Sequence, residues 1–340
     1  MKSRQLVRYT FPVILLAGIY FIGPQPEEPV FRTGLPELPA DPLQLQTYVE
    51  QQEAKHEIKP DNEARIVWAD STKTKTEYAV LYLHGFSASQ KEGDPVHRNF
   101  ARDFGCNLYL SRLADHGIDT TESLLNFTAD RLWNSAKEAL AIARQIGNKV
   151  IIMSTSTGGT LALKLAADYP SDVYALINLS PNIAINNGAA FLLNDPWGLS
   201  IARAVMGGKY RVKADDGEDD SQYWNGKYRL EAAVQLQELL EQTMNEETFR
   251  KVHQPSLTLY YYKNEEEQDP EVRVDQMLVM HEQLATPPAL KDAVALPNTG
   301  AHVIGCNLTS GDVDGVYREI EKFAIEKLKL RKKQLLTKAF

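Results

Sequence analysis

Short apolar runs separated by longer stretches with helical spacing dominate the chain. Arg65-Ile66-Val67-Trp68, Ala79-Val80-Leu81-Tyr82-Leu83, Asn107-Leu108-Tyr109-Leu110, Val150-Ile151-Ile152-Met153, Tyr174-Ala175-Leu176-Ile177-Asn178, residues 257–262 and Ala293-Val294-Ala295-Leu296 predict strands. Between two of them Leu132, Ala136, Leu140, Ala143 and Ile146 recur at helical spacing, with Gly147 placed to cap that helix. Leu43, Leu45, Tyr48 and Val49 predict a short leading helix, and Val316, Phe323 and Leu328 mark a last one. Strand and helix in turn mean a mostly parallel, doubly wound α/β sheet with helices on both faces. The alternation breaks from Asn182 to Val252, roughly seventy residues, too long for a plain loop. That stretch is expected to be a helical cap insertion, with an amphipathic run over residues 228–244 and a solvated acidic stretch over 215–220.

Candidate chemistry sits at the ends of the predicted strands. Ser154-Thr155-Ser156-Thr157-Gly158 follows the run ending at Met153 and leads into a helix-like stretch, which hangs Ser156 on a sharp strand-to-helix turn. A hydroxyl there stands clear of the sheet at the positive end of a helix dipole. Ser154 occupies the place where most such elbows carry glycine. Upstream, the strand ending at Leu83 runs into His84-Gly85-Phe86, where Gly85 lets the backbone pass close to a ligand. In a serine hydrolase the amides of Phe86 and Thr157 would bind the oxyanion, each such donor being worth ~3–4 kcal/mol in the transition state.

A serine hydroxyl is a poor nucleophile unless a neutral imidazole takes its proton. Of the seven histidines, His302 is the candidate base, on the Gly300-Ala301-His302 loop after the predicted last strand. The supporting carboxylate is expected in the loop after the penultimate strand, where Asp269 is the first choice and Glu265 the alternative.

The chain order Ser156, Asp269, His302, with His84-Gly85-Phe86-Ser87, Asp115-His116-Gly117 and the His302 loop, resembles the α/β-hydrolase superfamily from about residue 64 to 328, in its bacterial carboxylesterase and monoacylglycerol-lipase-like branch. The resemblance implies a serine esterase of short- to medium-chain acyl esters or monoglycerides, needing neither metal nor organic cofactor. It also implies that the insertion sits over the nucleophile, where Phe191, Leu192, Trp197 and Tyr223 would line a lipophilic cleft. The alternatives are a catalytically silent protein of this fold that binds a ligand or partner in the cell envelope, and an aminopeptidase or thioesterase using the same triad.

The 340 residues, 43% of them apolar, suit one α/β domain with an insertion. The expected divisions are 1–23 an anchor or signal segment, 24–60 a tether and leading helix, 61–181 and 253–330 the two parts of the core, 182–252 the cap, and 331–340 a basic tail. A net charge of −8, with no basic cluster beside the motifs, argues against nucleic acid as a partner. Two cysteines, Cys106 and Cys306, make no metal spacing and are read as structural thiols. Lys2, Arg4 and Arg8 precede an apolar segment over residues 11–23 without a small-x-small cleavage site. It is expected to be an uncleaved single-pass membrane anchor with the enzyme on the extracytoplasmic side, the alternative being a secreted or periplasmic protein after cleavage. Arg331-Lys332-Lys333 is expected to be a solvated basic tail, contact with anionic lipid being the alternative.

Overall fold

A computed structural model of the chain describes residues 18–213 and 222–333. Helix α1 (Pro42–Glu53) starts where Asp41 accepts the amides of Leu43 and Gln44 and Pro42 supplies a preset first turn, and it buries Leu45 and Val49. There follow β1 (Arg65–Val67), β2 (Thr76–Leu83), α2 (Val96–Phe104), β3 (Asn107–Leu110), α3 (Ala129–Ile146), β4 (Gly147–Thr155), α4 (Thr157–Asp168) and β5 (Ala175–Leu179). After the insertion come β8 (Ser256–Tyr260), α8 (Val274–Gln283), β9 (Lys291–Ala295) and α9 (Val313–Glu326).

These seven strands form one sheet in the order β1-β3-β2-β4-β5-β8-β9. Only the β1–β3 pairing is antiparallel; the rest are parallel. Both faces are buried, and the pleat sorts the side chains. In β2, Ala79, Leu81 and Leu83 enter one apolar cluster with α3, α4 and α8, while Val80 and Tyr82 enter another with α2 and α9. Because β2, β4, β8 and β9 run the same way, the loops that follow them gather at one edge of the sheet. Those are the loops that carry His84 to Phe86, Ser156, Asp269 and His302.

The helix expected to be capped by Gly147 passes straight into β4. Gly147 is extended, at φ −147° and ψ 151°, and donates its N–H to Ala143. Glycine is needed there for space, since a Cβ would lie 2.4 Å from the backbone nitrogen of Ala79 on β2.

The insertion divides in two. Its first part holds α5 (Gly198–Met206) and a short antiparallel hairpin of β6 (Tyr210–Val212) and β7 (Lys227–Arg229) that the apolar pattern does not announce. This part reaches the turn after β2, where the Asn225 amide donates to Ser87 O at 2.6 Å. Its second part, α6 (Leu230–Thr243) and α7 (Glu246–Phe249), buries Ala232, Leu236, Leu239, Leu240 and Phe249 in the cluster shared with α3 and α4. It therefore belongs to the layer flanking the sheet, and the acidic stretch expected over 215–220 lies outside the described residues.

The expected membrane anchor and the localisation built on it are corrected: among the described residues no helix is long and apolar enough to cross a membrane. The described end of that segment rests on the insertion instead. Ile19 O accepts from the Trp197 indole at 3.0 Å, Tyr20 OH donates to Asp195 at 3.0 Å, and Pro24 O accepts from the Trp197 amide. Residues 1–17 of the expected anchor lie outside the described residues. In the basic tail, Lys332 pairs with Glu321, and the Lys333 amide donates to Asp103 O. Residues 334–340 again lie outside the described residues. Cys106 and Cys306 are both free thiols and buried.

Gly147→Ala should therefore cost about 1–3 kcal/mol of stability through overpacking against β2. Gly188→Ala, where a Cβ meets nothing within 4 Å, should be near neutral. Denaturant midpoints of the two variants check this pair of outcomes.

Candidate active site

The site is built from the backbone outward. Between β4 and α4, Ser156 takes φ 53° and ψ −120°, a conformation that costs a non-glycine residue of order 1–3 kcal/mol. The strain is held by backbone bonds on both sides. Ser156 N donates to Leu179 O at 3.0 Å, and Ser156 O accepts from Gly159 and Asn182 at 2.8 and 2.9 Å. The following helix can approach only without side chains: a Cβ on Gly158 would lie 2.0 Å from Leu83 O, and one on Gly159 would lie 2.5 Å from the Pro181 Cβ. Ser154 does fit where glycine is usual. Its hydroxyl donates to Asn178 Oδ1 on the neighbouring β5 at 2.8 Å, inside the sheet.

The turn after β2 is fixed by two side chains. His84 is buried, and its Nε2 accepts from the Leu113 amide at 3.0 Å, so the ring proton is on Nδ1 and donates to Gly85 O at 2.8 Å. Burial, with the His116 charge adding, pushes the His84 imidazole well below its ordinary pKa and keeps it neutral. The Gly85 amide donates to Glu92 Oε2 at 2.6 Å. The Phe86 ring is set edge-on against Phe127 and Tyr228, with centroids 5.3 and 5.0 Å away. Among the described residues, neither the Phe86 nor the Thr157 amide donates to a protein acceptor. Two N–H groups beside Ser156 are thus available to an outside oxygen.

His302 and Asp269 come together from the loops after β9 and β8. His302 Nδ1 lies 2.8 and 3.0 Å from the two Asp269 oxygens. Asp269 is fully buried, and its Oδ1 also accepts the Glu271 and Val272 amides at 3.0 and 3.1 Å. A proton on Nδ1 shared with this carboxylate leaves the Nε2 lone pair free. Burial acts to lower the His302 pKa, but the Asp269 charge and hydrogen bond outweigh it, with Glu92 and Glu271 adding, and the imidazole is held above its ordinary value. Glu265 stands apart at the surface, accepting from Tyr262 OH. No hydrogen bond joins Ser156 Oγ to His302 among the described residues. Glu92 is near both: its charge acts on His302, and its carboxyl and the Ser156 Cβ both border the space where a Cβ on Gly85 would stand.

Of the aromatic residues expected to line a cleft, Phe191 is exposed, Trp197 is taken up by residues 19–24, and Tyr223 donates to Asp61 at 3.2 Å. Trp224, one position on, also reaches the site from the insertion, donating to Glu92 Oε1 at 3.1 Å. Glu92 itself was not legible as a site residue, because a Gln-Lys-Glu-Gly run reads as a solvated turn. Its one signal is closeness in sequence to the His84-Gly85 turn. A cavity of about 640 Å³ lies away from this edge, at the starts of β4 and β5. No three His, Cys, Asp or Glu side chains among the described residues are grouped so as to hold a metal ion.

Compared with models of protein families and with curated protein sequences, the chain matches none. Solved structures do resemble it. A metagenome-derived lipolytic enzyme of the LipS and LipT study superposes with a TM-score of 0.63 at 16% identity, over 78% of this chain and 98% of the other. Est1E from Butyrivibrio proteoclasticus with bound ferulic acid gives 0.54 at 17% identity, over 78% and 95%. A monoacylglycerol lipase from Paleococcus ferrophilus gives 0.55 at 11% identity, over 77% and 98%. With its mostly parallel sheet, its strand-to-helix elbow after β4 and these structural likenesses, the chain has the α/β-hydrolase fold.

Proposed function

We propose that the protein is a serine hydrolase of carboxylic esters, acting on short- to medium-chain acyl esters or monoglycerides through an acyl-enzyme. The observation that carries this is the buried Asp269 carboxylate on Nδ1 of His302, at the same sheet edge as a strained Ser156 flanked by two unengaged amides. The similar structures described as lipolytic, as binding ferulic acid and as a monoacylglycerol lipase point the same way.

In the first step Ser156 Oγ attacks the ester carbonyl while His302 Nε2 takes its proton, and Asp269 supports the imidazolium that forms. The amides of Phe86 and Thr157, the latter at the positive end of α4, hold the oxyanion. Collapse expels the alcohol, which leaves with the proton from His302, and water then repeats the sequence on the acyl group. The joint between Ser156 and His302 closes when substrate is bound, as catalytic hydrogen bonds often do. Nothing in these steps calls for a metal or organic cofactor.

Ser156→Ala should lower turnover of a p-nitrophenyl ester by ~10⁶, and Asp269→Asn by less. Glu265→Gln should leave turnover within about twofold, since its side chain is at the surface. Steady-state kinetics on the three variants, with an ester series of increasing acyl length, check the roles and the chain preference together.

The pH dependence follows from the sign of the His302 shift. The base works in its neutral form, so the acid limb of kcat/KM should lie above the ordinary imidazole value of about 6.5. In Asp269→Asn the burial effect prevails and the limb should move down. The charged pair also stabilises the folded chain: that contribution is full below about 6.5 and lost as pH rises through the higher folded value. A His302 ring titration by NMR, in both proteins, reads the shift directly.

A further inference from the structure

Glu92 is a buried carboxyl group beside Ser156 with no part in the steps above. It sits in a single turn of 3₁₀ helix (Gln90–Gly93) and is 3% exposed. Oε2 accepts the Gly85 amide at 2.6 Å, and Oε1 accepts the Trp224 indole N–H at 3.1 Å. A Cβ on Gly85 would lie 2.9 Å from Oε2 and 3.0 Å from the Ser156 Cβ, so the carboxyl and the Ser156 side chain both crowd the space in which a side chain at position 85 would stand.

Glycine gives the turn its close approach and removes the side chain that would limit its rotation. Something else must hold the two peptide planes on either side of Gly85. The plane after Gly85 carries both Gly85 O and the Phe86 N–H, which point in opposite directions across a trans peptide. His84 Nδ1–H on Gly85 O therefore aims the Phe86 amide. The plane before Gly85 is pinned by Glu92 on its N–H. A carboxylate that accepts N–H bonds makes them short and strong, which a neutral acceptor does not match.

We propose that Glu92 is a positioning residue for the oxyanion turn and that Trp224 holds it, so that the seating of the insertion against Glu92 fixes the peptide before Gly85 while His84 fixes the one after it, and the two together set the direction of the Phe86 amide. The inference rests on the ester-hydrolase reading and extends it to how the insertion governs the site. The contacts are continuous from Trp224 through Glu92 and Gly85 to Phe86, and the Phe86 ring is in turn clasped by Tyr228 of β7. Neither Glu92 nor Trp224 is part of the fold's apolar clusters, so substitutions at these two positions remove no member of them.

The charges around Glu92 give the arrangement a second readout. Facing it are His302, Lys213, Tyr82 and Cys306, and facing His302 are Asp269, Glu92 and Glu271. Burial pushes the Glu92 carboxyl up to about 7, opposed by the Gly85 and Trp224 hydrogen bonds and by the His302 and Lys213 charges. Burial also raises Tyr82 and Cys306, so that both are neutral where an esterase works. The charge on Glu92 is one of those that raise His302.

Glu92→Ala, Glu92→Gln and Trp224→Phe test the proposal, read by ester kinetics, by pH profile and by the Gly85 and Phe86 amide resonances. Glu92→Ala should lower kcat by ~10²-fold with KM within about twofold, the pattern of a lost transition-state contact. Glu92→Gln keeps one acceptor and should recover part of that loss, yet should move the acid limb of kcat/KM to lower pH, because the charge that raises His302 is gone. Trp224→Phe should lower kcat less than Glu92→Ala and shift the Gly85 amide upfield. Unchanged kcat and unchanged Gly85 and Phe86 resonances in Glu92→Ala would overturn the proposal. The amide resonances do not depend on turnover, so a chain without Ser156-dependent esterase activity would sink the hydrolase reading while the resonances still decide whether Glu92 positions the turn.

Discussion

The close approach of α4 to the end of β2 is the constraint on which the site depends. With the Leu83 carbonyl only 2.0 Å from where a Gly158 Cβ would stand, the helix packs against the strand at backbone distance. The chain must then turn from β4 into α4 within one residue, and Ser156 absorbs the cost in a positive φ. Leu179 O, on the adjacent strand, ties that residue to the sheet. The same approach places the first amide of α4 beside the turn after β2. The strained Ser156 turn and the free amide at the start of α4 thus share one origin in the packing of a glycine-led helix start.

Around that point the side chains divide the electrostatic work. Asp269 is buried, accepts two backbone amides and still holds His302, so the imidazole is oriented and its proton assigned. His84 is buried and neutral and bridges two backbone groups, the Leu113 amide and the Gly85 carbonyl. Glu92, by contrast, brings a second carboxyl to the site from the other side, where its hydrogen bonds reach both the turn and the insertion. Two buried carboxyl groups thereby act on one histidine, Asp269 through its hydrogen bond and charge and Glu92 through its charge alone.

Much of the fold could be read from pattern. The seven strands of the sheet are the seven apolar runs, because a strand covered on both faces has little room for polar residues. The hairpin Tyr210–Val212 with Lys227–Arg229 escaped, being short, partly charged and outside the core. Helix α6 carries an amphipathic stripe that pattern alone reads equally well as cap or as flanking layer, and only the shared burial with α3 and α4 decides. The apolar segment over residues 11–23 reads as an anchor by composition, but its described end is engaged by Trp197 and Asp195, contacts that no hydropathy pattern contains. For the site, the loop after β8 was recognisable as the place for an acid, yet Asp269 and Glu265 differ only in three dimensions, one buried on His302 and the other at the surface on Tyr262. Glu92 was invisible for the same reason: its partners, Gly85 and the chain-distant Trp224, meet it only in three dimensions.

The central claim is that the Ser156 hydroxyl is made nucleophilic by His302. Reaction of the whole protein with a fluorophosphonate, followed by intact mass and peptide mapping, tests it without any assumption about the natural ester. The account predicts a single adduct on Ser156 that is lost in His302→Ala. An unmodified Ser156, or labelling that proceeds equally well without His302, would contradict it.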